Sequence, residues 1–452
     1  MNQTIAAIST PPFPGGIGIV RISGPRAREV AGSVFRGIDD LSAAAGYTAH
    51  YGRVYDGEEL LDEAVALVFA APRSYTGEDV VELSCHGGVY VVQRLLKAVL
   101  AAGARPAAAG EFTRRAFENG KLGLTQAEAV MDIISAGGKQ ALSAALAAKN
   151  GGIEARLREA SDTLAFAAAG IAAFVDFPDE GLPEMDFDGL IKALSRGEEQ
   201  LSSLLRDFEA GRVLREGVDA VIAGRPNVGK STLMNLLSGS ERSIVTEHAG
   251  TTRDVVEETV KLGEILLRLS DTAGLRDTDD PIEQIGVEKA QRRLEEADLI
   301  LAVFDGSAPL AKEDRDLLSL LQGRPAVCVV NKEDLVRKAE LGEIFAACPE
   351  TVTVSAREHT GTEALTAAVE RVTGVARLEP GAAVLQNTRQ WDCARRALEA
   401  VRAAQAAIGA GVTLDAVGVE LDEGIAALEE LTGKRVSDRV VDEVFARFCV
   451  GK

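Results

Sequence analysis

Apolar and polar positions change rhythm three times along the chain. Up to about residue 118, short β-rich runs (GIGIVRI, EAVALVFA, DVVELSC) surround one helical stretch, VYVVQRLLKAVLAAG, which predicts a small α+β domain over 1–118. From about 122 to 212 apolar residues recur every three or four positions in LTQAEAVMDIISA, ARLREASDTLAFAAAGIAAFVDF and DFDGLIKALSRGEEQLSSLLRDFEAG, a helical pattern assigned to 119–212. DFPDEGLPEMDFDG reads as a loop between two of these helices. Between 216 and 375 five apolar runs (VDAVIAG, EILLRLSDTAG, DLILAVFDG, PAVCVVNK, TVTVSA) each run into a loop and alternate with helices, as in a doubly wound α/β domain. Helical rhythm returns over 376–452, in NTRQWDCARRALEAVRAAQAAI, TLDAVGVELDEGIAALEELTG and KRVSDRVVDEVFARF. The simplest topology inserts the α/β domain into a helical domain split in sequence.

Composition narrows the functional class. The 452 residues exceed what one core organises, and 46% hydrophobic content supplies several. A net charge of −20 argues against a broad, sequence-independent polyanion binder, which needs clustered Lys and Arg. There is no apolar run of about 18 residues and no basic-then-apolar N-terminus, so the expectation is a cytoplasmic protein without a membrane span. The five cysteines show neither a C-x-x-C pair nor zinc spacing.

The chemistry sits in the α/β region. Gly224-Arg-Pro-Asn227-Val228-Gly229-Lys230-Ser231 follows one strand and opens the helix beginning at Thr232, the phosphate-loop pattern in its required setting. Its glycines let backbone N–H groups curl around phosphate oxygens. Lys230 is placed to reach the β- and γ-phosphates, and the Ser231 hydroxyl to ligate Mg2+. Asp271-Thr-Ala-Gly274 ends another strand, with Asp271 expected to hold Mg2+ through water and the Gly274 N–H to sense the γ-phosphate. Asn331-Lys332-Glu-Asp334 is expected to recognise the base, since a carboxylate at Asp334 accepts from guanine N1 and N2, a pairing adenine lacks. Ser355-Ala356-Arg357 would bring a backbone N–H to guanine O6. GTP and GDP, rather than ATP, are therefore the expected nucleotides. Residues 246–254 read as a switch loop in which Thr252 completes the Mg2+ shell. Leu275 stands where Ras-type GTPases place a water-orienting Gln, so that group must come from elsewhere, and spacing alone selects none of the carboxylates in 276–286.

With these motifs, the split helical region and the ending Phe448-Cys449-Val450-Gly451-Lys452, the chain resembles the tRNA-modification GTPase family MnmE (TrmE) from end to end. TPPFPGGIGIVRISGP, YTGEDVVELSCHGG and GEFTRRAFENGKLGLTQAEA carry the likeness on the N-terminal side. The resemblance implies that Glu283, in the second switch, orients the attacking water. It implies a K+ ion held by Asn227 and by Thr246, His248 and Thr251, the last three through backbone carbonyls. Such a fixed cation stabilises charge developing between the β- and γ-phosphates. It implies a homodimer and an N-terminal domain binding a one-carbon donor, 5-formyl- or methylene-tetrahydrofolate, at Arg21, Glu82, Lys121 and Lys452. It implies a flavoprotein partner, MnmG (GidA), tRNA as the modified substrate, and a reactive or tRNA-facing role for Cys449 in a flexible tail. Two alternatives remain at this stage. One is a ribosome-assembly GTPase of the Era or Der type, although no KH-like G-x-x-G loop occurs in a suitable setting. The other is a folate-dependent transferase in which GTP is only regulatory.

Overall fold

In the computed structural model of the chain, the structure describes residues 3–176, 187–240, 257–271, 293–379 and 381–452. The described part forms two compact units, one taking the chain up to Met131 and again from Ile425, the other running from Asp132 to Gly424.

The first unit is built on a seven-stranded sheet: β1 (Ile5–Ile8), β2 (Gly15–Ser23), β3 (Phe35–Arg36), β4 (Thr48–Asp56), β5 (Glu59–Phe69), β6 (Val80–Gly87) and β7 (Arg105–Pro106). Their spatial order is β3-β4-β5-β6-β2-β1-β7. Alternation along β2 and β6 separates two faces. Val20, Ile22, Val81, Leu83 and Cys85 point into a core closed by helices α1 (Ala27–Val34) and α2 (Val89–Ala101). Arg21 and Glu82, one residue out of phase, share the other face and stand opposite each other in register.

Helix α3 (Glu111–Glu118) lies beside a small second cluster of Ile5, Ala7, Ala107 and Phe112. Its first turn is anchored by charge. Arg115, only 3% exposed at its side chain, bonds Glu78 at 2.9 Å and Glu111 at 3.0 Å. Burial pushes the Glu111 carboxyl up, but bonds from Arg105, the Ala108 N–H and Arg115 outweigh it and leave the acid below its usual range. Helix α4 (Leu124–Ser135) follows. Aromatic residues of the chain's far end join this unit: Phe445 and Phe448 pack with Leu124, Ala127 and Val130.

In the second unit α5 (Lys139–Lys149), α6 (Gly152–Asp176) and α7 (Phe187–Glu216) precede a six-stranded sheet. That sheet holds β8 (Val218–Ala223), β9 (Glu257–Leu262), β10 (Ile265–Asp271), β11 (Leu299–Asp305), β12 (Ala326–Asn331) and β13 (Thr351–Thr353). The order β13-β12-β11-β8-β10-β9 is parallel throughout, except that β9 returns antiparallel beside β10. Strands β11 and β12 are buried on both faces, as helices on either side require, so they read as unbroken apolar runs. Chain order reverses direction at β8, and loops leaving β8 and β11 diverge to form a crevice at the strand ends. Helix α8 (Lys230–Ser240) leaves that crevice; α9 (Lys312–Leu320), α10 (Leu341–Ala347), α11 (Thr362–Val372) and α12 (Thr388–Gly409) complete the unit. Helix α13 (Leu414–Thr432) leads into the first unit, where α14 (Asp438–Phe445) and the tail lie.

The five α/β runs read from sequence are β8, β10, β11, β12 and β13. Among the elements that no run quoted from the sequence covers are helix α5 and strand β9. Helix α5 is an Ala-rich segment whose small residues give little apolar periodicity. Its N-cap, Gly138, has no side chain to offer, and Glu264 at the tip of the β9–β10 hairpin accepts the Gln140 N–H at 3.0 Å instead. Strand β9 is too charged (EETVKL) to stand out. Among the described residues, no helix is long and apolar enough to cross a membrane.

Candidate functional site

The loop from Gly224 to Lys230 is shaped by backbone angles that ordinary residues avoid. Asn227 sits at φ +64° and Gly229 at φ +100°. A Cβ on Gly229 would also overlap the Asn331 side-chain amide. The Lys230 ammonium, almost fully buried, arches over this loop and donates to the Gly224 carbonyl at 2.9 Å and the Arg225 carbonyl at 3.1 Å. Behind it, Ser231 and Thr232 are exposed in the first turn of α8, where helix N–H groups and the helix field favour an anion. One ammonium and the first turn of α8 thus stand at the same loop.

The base-side motifs meet the same loop. Asn331, 3% exposed at the end of β12, donates its side-chain amide to the Val228 carbonyl at 3.0 Å and accepts the Ala356 N–H at 3.0 Å. Its place is therefore between the phosphate loop and the loop after β13, joining them, rather than on an open face toward a base. The Ala356 N–H is engaged by that bond and the Ser355 N–H by the Thr360 carbonyl. Lys332, at φ +66°, bonds the Asn227 carbonyl at 2.9 Å and the Asp305 carboxylate at 2.7 Å. Burial pushes the Asp305 acid up, but Lys332 and the Ser307 hydroxyl and N–H hold it below its usual range. Asp334 is exposed, with one oxygen accepting the Ser355 hydroxyl at 2.6 Å. That bond orients the carboxylate and leaves acceptor capacity for two N–H donors on one ring edge.

Asp271 ends β10, the strand beside β8, but its side chain lies outside the described residues. So do Thr246, His248, Thr251, Thr252, Gly274 and Glu283.

A second constellation lies in the first unit. Arg21 Nε donates to Glu82 at 2.8 Å, and its Nη1 donates to the Gly451 carbonyl at 3.2 Å. Its guanidinium carbon stands 5.6 Å from the Phe112 ring centre and 5.8 Å from that of Tyr75. The tail expected to be flexible is held in place. Val450 forms an antiparallel bridge with Ala109, the Gly110 N–H reaches the Cys449 carbonyl at 3.4 Å, and the Phe112 N–H reaches the Lys452 carbonyl at 3.2 Å. Lys452 is half-buried; burial and the Arg21 charge lower its pKa, with Glu82 and Cys449 opposing. Cys449 is exposed while the other four cysteines are buried. Lys121 stands in an open cleft of about 520 Å3 beside Tyr75, Tyr47 and Arg73, and donates to the Pro72 carbonyl at 3.1 Å. Arg21, Glu82 and Lys452 thus come together directly, and Lys121 joins them only across Tyr75.

The description of the GTP-binding protein TrmE N-terminus matches residues 4–121, and that of the MnmE helical domain matches 124–449, bracketing the six-stranded sheet. Among curated relatives, the tRNA modification GTPase MnmE of Heliobacterium modesticaldum is 44% identical over 468 residues, covering the whole of both chains. Those of Symbiobacterium thermophilum and Geobacter sulfurreducens are 44% and 42% identical, again over the whole of both chains.

The chain belongs to the MnmE family.

Its fold is accordingly an N-terminal α+β domain, a helical domain split in sequence and an inserted P-loop GTPase domain. Matches on both flanks leave no place for the KH-type alternative. Asp305, which holds Lys332, and Phe112, which flanks Arg21, were not singled out from sequence, and Gly451 was quoted only as part of the terminal motif, without its backbone contact to Arg21. Asp305 ends the strand run DLILAVFDG and was visible there as an acid at a strand's carboxyl end. Phe112 has no local signal, and the terminal motif marks Gly451 without disclosing its contact.

Proposed function

We propose that this chain hydrolyses GTP to drive modification of tRNA, acting in the cytoplasm as a homodimer with a flavoprotein of the MnmG kind. The observation that carries this is the junction at Asn331, which ties the phosphate loop to the base loop beside an oriented Asp334 carboxylate. A carboxylate fixed there selects guanine, because adenine offers no paired donors and would cover it while leaving it unmatched. Lys230 stabilises charge on the β- and γ-phosphate oxygens as the bond to the leaving diphosphate opens. The exposed Ser231 hydroxyl and the Asp271 position suit Mg2+, which when bound neutralises phosphate charge. The exposed Asn227 suits a K+ ion completed by Thr246, His248 and Thr251. Glu283 is the proposed water-orienting group.

In the first unit the acceptor of Glu82 and the cations Arg21, Lys452 and, across Tyr75, Lys121 suit a reduced pterin carrying a carboxylate tail. This supports a one-carbon tetrahydrofolate donor and addition of an aminomethyl or carboxymethylaminomethyl group at C5 of the wobble uridine. The proposed boundaries are 1–118, 119–212, 216–375 and 376–452.

Mass spectrometry of wobble uridines in cells lacking the protein tests the modification; unaltered nucleosides would remove it and leave the GTPase standing. Phosphate release in K+ against Na+ tests the cation, and equal turnover would remove the role of Asn227. Glu283→Ala is expected to keep GTP affinity and to lose turnover by about 100-fold or more; near-normal turnover would assign the water to another group.

A further inference from the structure

We infer that Gly451 is a positioning residue of the folate site: its carbonyl oxygen fixes the Arg21 guanidinium, and only glycine can put that oxygen there. Resting on the folate reading of Arg21, Glu82 and Lys452 given above, this adds a contribution made by backbone alone.

Arg21 crosses the sheet face to reach Glu82 through Nε, and a single bond leaves a guanidinium free to swing about it. The Gly451 carbonyl supplies the second point, 3.2 Å from Nη1. That carbonyl is itself held, since the Ser9 hydroxyl donates to the same oxygen at 3.2 Å. With Phe112 and Tyr75 flanking the cation, the fork is fixed in position and direction. Its Nη2 meets no acceptor among the described residues and is the edge presented to a ligand.

Two features restrict position 451 to glycine. Its φ is +102°, a conformation that side-chain-bearing residues rarely adopt. A Cβ there would overlap the Ile8 carbonyl oxygen and lie 3.2 Å from Ile8 C and Ser9 Cα. Those atoms are backbone at the end of β1, so no side chain can turn aside. The tail on either side is pinned by the Val450–Ala109 bridge and the Lys452–Phe112 bond. A substitution therefore moves the carbonyl of residue 451, the atom that Arg21 uses.

The test is calorimetric titration of 5-formyltetrahydrofolate into the full chain, Gly451→Ala, Arg21→Ala and the double variant. Gly451→Ala is expected to lose about 10-fold in affinity, the size of one charged hydrogen bond. In the Arg21→Ala background the same change should cost less than about 2-fold, because the two residues act as one unit. Ser9→Ala, which needs no unusual backbone, should lose about 2- to 3-fold and serves as the decisive variant if Gly451→Ala lowers Tm strongly. Full affinity in both Gly451→Ala and Ser9→Ala, or a loss that simply adds to that of Arg21→Ala, overturns the inference while the folate site stands. No binding by the unaltered chain overturns the folate reading and, with it, this role.

Discussion

Lys230 and its carbonyl acceptors lie within six positions of one another, whereas Arg21 reaches an acceptor 430 positions away. The Lys230 contacts need only a few φ angles and one strand–helix junction, with Asn331 and Lys332 bracing the same loop from farther along the chain. The Arg21 site exists only after a sheet, a helix N-terminus and the far end of the chain have met. A locally encoded site keeps its geometry when distant packing is disturbed, while a site closed over long loops inherits the opening of every element that closes it. The first is therefore the robust partner and the second the sensitive one.

The sharpest break of this contrast is Lys230→Ala. Removing the ammonium should lower GTP turnover by about 100- to 1,000-fold and leave folate titrations unaltered; a parallel loss of folate affinity would mean that the sites are not independent. Next in size, Asp334→Asn replaces an acceptor with a donor facing guanine N1 and N2. GTP affinity should fall about 100-fold and xanthosine triphosphate, which presents a carbonyl at that edge, should regain part of it in a competition assay. Arg21→Ala should weaken folate binding about 10- to 100-fold, one or two charged hydrogen bonds, with GTP turnover intact. Smallest is Glu264→Ala, which strips α5 of its tertiary cap and should reduce stability by about 1 kcal/mol in denaturant unfolding without touching either ligand.

What the sequence disclosed follows the same division. The phosphate loop, Lys332 and Asp334 were legible because strand, loop and helix sit in one short window and glycine spacing encodes the backbone directly. Asn331 was legible as part of a motif, but its bonds to Val228 and Ala356 were not, since they join loops after three different strands. Arg21 and Glu82 came from family likeness, and only the β2–β6 register explains why they meet. The tail looked loose because five residues ending in Gly-Lys are too few to show a periodic pattern; what pins it are N–H groups of Gly110 and Phe112, which no tail composition reveals. Helix α5 escaped notice because alanine neither marks a face nor caps an end, and its cap comes from a hairpin more than a hundred residues downstream.

Asn331 has a bearing on the order in which a nucleotide leaves. One carboxamide grips the main chain of both loops, so on the proposed reading a shift of the loop after β13 as a purine leaves would pull on the phosphate loop as well. Half-bound poses, anchored by the sugar–phosphate end alone, should accordingly be short-lived, and departure of the diphosphate product should be close to a single concerted event rather than a gradual peeling.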